Sequence, residues 1–256
     1  LDHVNLSVND STLVVAASTG AQLNVVSLAS EENMMTGEVT NSETRIDLPQ
    51  MTEQVKALYV DPRQQWLYVI NGRAQADVFS LRDKSLNGRY KLVDDATTEI
   101  TASTQLVGGI SLIFGDSTGG LSQWFMARDP DGEQRFKHIR SFQMGTSPIV
   151  EITAEQRRKG FLALDAAGEI GVFHSTAHRT LLVEKVAEGP GIMALSPRAN
   201  RIIVEEGGKL VPLTLKNPHP EVSWSALWSK VWYENYDEPK YVWQSTAANT
   251  DFEPKM

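Results

Sequence analysis

Two histidines, His174 and His178, stand four residues apart in Phe173-His174-Ser175-Thr176-Ala177-His178. On a helix that spacing would put both rings on one face, where they could hold zinc. Here the pair follows a strand-like apolar run and enters a polar turn, with no glutamate between the rings. Both are read as surface histidines, and His3, His138 and His219 are scattered. The run Asp129-Pro130-Asp131-Gly132-Glu133 resembles the start of a calcium loop, but Arg135 and Lys137 follow and no terminal glutamate closes it. It reads as a hairpin turn, as does Asp116-Ser117-Thr118-Gly119-Gly120. A phosphate loop places its glycines between a strand and a helix N-terminus; Gly108-Gly109 and Gly119-Gly120 lie between strands. No Gly-x-Ser-x-Gly elbow occurs. The absence of cysteine removes disulfides, thiolate metal sites and cysteine nucleophiles together. No catalytic, cofactor-binding or metal-binding residue is assigned, and a propeller hydrolase or lactonase, or a generic periplasmic scaffold or signalling propeller, stay as the alternatives.

The chain that must position any site has 256 residues, 41% of them hydrophobic, enough for a sizeable core. Its net charge of −8 would repel the phosphates of nucleic acid, so no nucleic-acid partner is expected. No apolar run approaches the roughly 18 residues that cross a bilayer. The chain opens at Leu1 without a basic or signal-like leader and reads as an excised soluble piece of a longer protein. Freedom from cysteine suits a bacterial periplasm.

Short apolar, β-branched runs separated by Gly, Asn, Asp and Pro dominate. Trp66 to Ile70 followed by Asn71-Gly72, and Ile202 to Val204 followed by Gly207-Gly208, read as hairpins whose glycines supply positive φ. Such strand–turn–strand units recur over Leu13 to Leu28, Leu67 to Asp83, Leu112 to Asp129, Phe161 to Thr176 and Ile202 to Lys216. Three have an upstream strand (Val55 to Val60, Ile149 to Thr153, Ile192 to Leu195) and three a downstream one (Arg89 to Val93, Phe136 to Phe142, Leu181 to Val186). Units of four strands repeated every 41 to 54 residues predict an all-β, β-propeller-like (WD40-like) array of four-stranded blades over residues 1–216. The fifth unit shows no outer strand, so the ring is expected to be incomplete and to need strands or blades from upstream sequence.

Residues 217–256 differ. Asn217-Pro218-His219-Pro220 breaks any strand, and four of the six tryptophans then fall between residues 224 and 243. Trp224, Trp228 and Trp232 repeat at helical spacing behind Ser223 as N-cap, predicting an amphipathic helix closed by Asp237-Glu238-Pro239 and followed by a non-blade tail. Trp224, Trp228, Trp232, Tyr236 and Trp243 are the candidate partner-contact residues. Lys230, Glu234, Asp237, Glu238 and Lys240 give that stretch mixed charge, which suits a protein surface better than lipid.

The run Ser223 to Pro239, with Tyr241-Val242-Trp243-Gln244-Ser245-Thr246 and Asp251-Phe252-Glu253-Pro254-Lys255, resembles the segment preceding the permease core in phosphate-type ABC-transporter permeases of gammaproteobacteria. The likeness is specific over residues 221–255. It implies a large extracytoplasmic insertion on the periplasmic side of the inner membrane, with the transport core beyond Met256. Implied partners are that permease core, a periplasmic phosphate-binding protein, a second permease subunit and cytoplasmic ATPase subunits. None of the family's conducting or ATP-hydrolysing residues maps onto this chain. A domain of charge −8 would itself repel phosphate, so docking, sensing or spacing is expected of it rather than anion capture.

Overall fold

Every strand–turn–strand unit in the sequence becomes the middle hairpin of a four-stranded antiparallel sheet. The computed structural model describes residues 1–156, 158–189, 191–195, 201–206, 208–216 and 242–245. Blade 1 comprises β1 (His3–Asn9), β2 (Thr12–Thr19), β3 (Gln22–Glu32) and β4 (Val39–Ile46). Blade 2 comprises β5 (Val55–Val60), β6 (Trp66–Asn71), β7 (Gln75–Ser80) and β8 (Ser85–Lys91). Blade 3 comprises β9 (Ile100–Gln105), β10 (Ser111–Asp116), β11 (Gly120–Arg128) and β12 (Gln134–Gln143). Blade 4 comprises β13 (Ile149–Ala154), β14 (Gly160–Asp165), β15 (Glu169–His174) and β16 (Arg179–Lys185). Blade 5 comprises β17 (Met193–Leu195), β18 (Arg201–Glu206), β19 (Lys209–Lys216) and β20 (Val242–Ser245). Each is an up-and-down meander in chain order, so the protein is an all-β, propeller-like array of four-stranded blades.

The fifth blade corrects one expectation. Its outer strand comes from the stretch taken as a non-blade tail: β20 pairs with β19 in the register Lys216↔Val242, Leu215↔Trp243, Thr214↔Gln244, Leu213↔Ser245. The helix expected over Trp224 to Trp232 lies outside the described residues, among which there is no helix.

The corner between the second and third strands is built alike in blades 2, 3 and 4. The Oδ1 of Asn71 accepts the amides of Arg73 and Gln75 at 3.0 and 3.2 Å. Asp116 accepts those of Thr118 and Gly120 at 2.7 and 2.9 Å, and Asp165 those of Ala167 and Glu169 at 2.9 and 2.8 Å. A side-chain oxygen thus stands in for a backbone carbonyl and turns the chain. Three residues on, the backbone enters the left-handed region at Ala74 (φ 53°), Gly119 (81°) and Gly168 (84°). The tight turn expected at Asn71-Gly72 is this longer corner, and its positive φ falls on Ala74 rather than Gly72. The carbonyls of Ala74, Gly119 and Gly168 then receive the amides of Leu92, Met144 and Val186 just beyond each outer strand.

Packing between blades follows from the side-chain alternation of each strand. Four apolar clusters join the blades in succession. Val14, Ala16 and Val25 of blade 1 meet Leu58, Val60, Leu67 and Phe79 of blade 2. Tyr68, Ile70 and Val78 meet Leu112, Phe114, Trp124 and Phe136 of blade 3. Ile113, Leu121 and Phe142 meet Ile152, Phe161 and Phe173 of blade 4, where the Phe161 and Phe173 rings stack at 5.0 Å and Phe142 meets both edge-on. Leu162, Leu164 and Val172 meet Met193, Ile202 and Leu213 of blade 5. Among the described residues no cluster joins blade 5 back to blade 1.

Candidate interaction surfaces

The residues weighed for metal or acid–base chemistry are engaged with different partners. His174 ends β15, where its Nδ1 accepts the Ala177 amide at 3.2 Å. Burial holds its pKa below the ordinary histidine value, with the Glu155 carboxylate pulling upward and Arg158 downward. His178 turns to the Ser141 carbonyl, 2.8 Å from its Nε2, and lies edge-on to Phe142 at 5.1 Å. The two rings serve different neighbours. Asp129 accepts the amides of Asp131 and Glu133 through Oδ1 and pairs through Oδ2 with Arg135 at 2.7 Å, the work of a turn between β11 and β12. Among the described residues no three His, Asp or Glu side chains gather as metal ligands.

A cavity of about 380 Å³ opens between blades 2 and 3, lined by Lys56, Ala57, Ile70, Asn71, Gly72 and the start of β9. Its ionisable lining groups, Lys56 and Glu99, are exposed and opposite in sign. A hydrolytic carboxylate pair is therefore not what it presents. Beside it, the half-buried Tyr59 hydroxyl bonds Ser103 Oγ at 2.8 Å across the seam. Burial raises the Tyr59 pKa, and the Ser103 bond opposes that rise.

Among the described residues, one face of blade 1 is apolar and open. Val4, Leu6 and Val8 alternate along β1 and are 51%, 60% and 70% exposed. Their register partners on β2 are Ala17, Val15 and Leu13. Val15 and Leu13 in turn face Val26 and Leu28 on β3. Opposed residues of an antiparallel pair share a face, so these side chains form one continuous aliphatic sheet surface. It ends at a charged rim on β4, where Arg45 faces Val26 and Glu43 faces Leu28. The opposite face of the same sheet is already spent: Ser7 donates to the Asp61 carbonyl at 2.9 Å, Asn5 accepts the Val60 amide at 2.9 Å, and Val14, Ala16 and Val25 are buried against blade 2. The period-two pattern Val4-Leu6-Val8 is the sequence signal that marks β1, and the sequence reading did not use it.

Of the expected partner-contact residues, Trp224, Trp228, Trp232 and Tyr236 lie outside the described residues. Trp243 sits on β20 with its backbone opposite Leu215. The aromatic stretch therefore leaves the fifth blade at Lys216 and rejoins it at Val242, two residues that face each other across one ladder.

No protein-family model matches the chain, and no curated protein matches it. Among solved structures it is similar to Kuenenia stuttgartiensis hydrazine synthase, at 16% identity and a TM-score of 0.52. The match covers 84% of this chain and 56% of that one, so the chain spans little more than half of the structure it resembles. At that identity the likeness speaks for the fold. With 1448 chains of solved structures matching, the fold is widespread and carries no particular chemistry.

Proposed function

We propose that this chain is a non-catalytic, extracytoplasmic propeller domain of an inner-membrane ABC-transporter permease subunit of the phosphate-import type, working by protein–protein contact. One observation supports the reading above the others. The stretch 221–255, which resembles the segment before the permease core, contributes β20 to the last blade, so the two parts of the sequence are joined by a hydrogen-bonded ladder. A propeller pinned in this way to a segment leading toward a membrane core is placed to receive a periplasmic partner. The partners of that reading are its own permease core, the phosphate-binding protein, a second permease subunit and the cytoplasmic ATPases, with the domain on the periplasmic side. The net charge of −8 favours a docking role over capture of the anion itself.

The test is co-purification of the whole polypeptide from membranes, followed by pull-down of the cognate phosphate-binding protein with and without Trp228→Ala. Recovery of ATPase and second permease subunits, with capture of the binding protein reduced roughly tenfold by the substitution as for a contact hot spot, is the expected result. A polypeptide recovered without any membrane-embedded segment would sink the reading.

A further inference from the structure

The bare face of blade 1 is the place where this array is unfinished. In each of the other four blades, the face turned toward the lower-numbered neighbour carries a row of opposed residues across its first three strands. These rows are Val60–Leu67–Phe79 in blade 2, Gln105–Leu112–Trp124 in blade 3, Ala154–Phe161–Phe173 in blade 4 and Leu195–Ile202–Leu213 in blade 5. The middle residue of every one of those rows is buried against the blade before it, between 0% and 1% exposed. The same row in blade 1 is Val8–Leu13–Leu28. It has the same chemistry at the same lattice positions, yet Val8 is 70% and Leu28 37% exposed. The next row repeats the comparison: Leu58–Val69 is buried in blade 2, whereas its counterpart Leu6 stands 60% open beside Val15.

We propose that the Val4–Leu6–Val8 face of blade 1 seats a further four-stranded antiparallel blade of the same polypeptide, from outside residues 1–256. The shape and chemistry of the occupant follow from the four seams, each of which is joined by a cluster of buried apolar side chains from two facing sheets. Blade 5 does not fill the place. Its own outward residues Ile203 and Leu210 are 42% and 70% exposed, so among the described residues the array carries open apolar side chains at both ends. A second copy is a poor occupant, because each chain brings a charge of −8 to the encounter. All four existing seams join blades that are consecutive in one chain, and this inference extends that pattern by one step. It stands apart from the transporter reading, since any polypeptide that continues the array satisfies it.

Residues 1–256 contain no cysteine, so a thiol introduced among them is identified by its own peptide. Leu6→Cys and, separately, Val8→Cys are placed in the whole polypeptide, with Met34→Cys as the open reference at a position 98% exposed. Maleimide modification of each position is followed by peptide mass spectrometry over a hundredfold range of protein concentration. The expected result is labelling at positions 6 and 8 about tenfold or more slower than at position 34, independent of concentration. A cross-linker attached to the thiol of the Leu6→Cys variant then joins it to a peptide outside residues 1–256 of the same molecule. Labelling at the rate of position 34 overturns the proposal. Protection that disappears on dilution overturns it as well, because it assigns the face to a second copy.

Discussion

Ser175 Oγ donates a 2.9 Å hydrogen bond to Gln123 Oε1 across the seam between blades 4 and 3, and both residues are buried. Within blade 3, Gln123 Nε2 also donates to Ser111 Oγ at 3.2 Å, and Arg140 reaches the same Oε1 at 3.5 Å. Removing the hydroxyl leaves a buried amide oxygen with only a long contact. Ser175→Ala should cost about 1–3 kcal/mol, read as a lower urea midpoint with an unchanged slope.

The corner at Asp165 makes a second prediction. Its Oδ1 holds two amides, while its Oδ2 is buried with no partner. Asn71 does the same work in blade 2 with an amide side chain. Asp165→Asn keeps the accepting oxygen and removes a buried charge, so its loss should be well below that of Asp165→Ala, about 1–3 kcal/mol. Urea midpoints of the two variants check the order.

Left-handed corner positions should respond by different amounts. A Cβ at Gly168, φ 84°, would lie 2.2 Å from the Ala187 carbonyl oxygen, a backbone atom that cannot swing away. Gly168→Ala should cost more than about 2 kcal/mol, the sum of torsional strain and that clash. Ala74 already holds the same position in blade 2 at φ 53°. Ala74→Gly relieves that strain and should change stability by no more than about 1 kcal/mol, in either direction.

Acid should loosen the fold through His174. Its folded-state pKa lies below the unfolded value because burial penalises the charged ring, with the Glu155 carboxylate opposing the drop and Arg158 adding to it. The unfolded chain therefore binds the proton more readily. The contribution of His174 is fully present above an unfolded pKa of about 6.5 and is lost as pH falls through the depressed folded value. Urea midpoints measured from pH 7 downward should fall, and His174→Gln should flatten that part of the fall.

The legible part of this fold was its middle hairpins. Runs such as Leu112 to Phe114 and Phe161 to Leu164 are apolar because both faces of an inner sheet are covered by neighbouring blades. The edges were harder to read. β4 (Val39–Ile46) is exposed along nearly all its length and has no face to alternate, and β9 (Ile100–Gln105) carries Thr, Ser and Gln in half-buried positions. β20 lies beyond a long excursion, and no local pattern announces a strand that returns from so far. Pairing of this kind is dictated by an open edge elsewhere in the molecule. Of the candidate contact set, Trp243 alone falls on a described element.

Lys216 and Val242 are cross-strand neighbours, which gives the last blade a mechanical role. A slack tether absorbs displacement before passing it on. Here a pull applied downstream of Ser245 meets four register pairs at once and reaches the fifth blade as shear along the ladder. Displacement beyond Ser245 would therefore load the β19–β20 ladder directly.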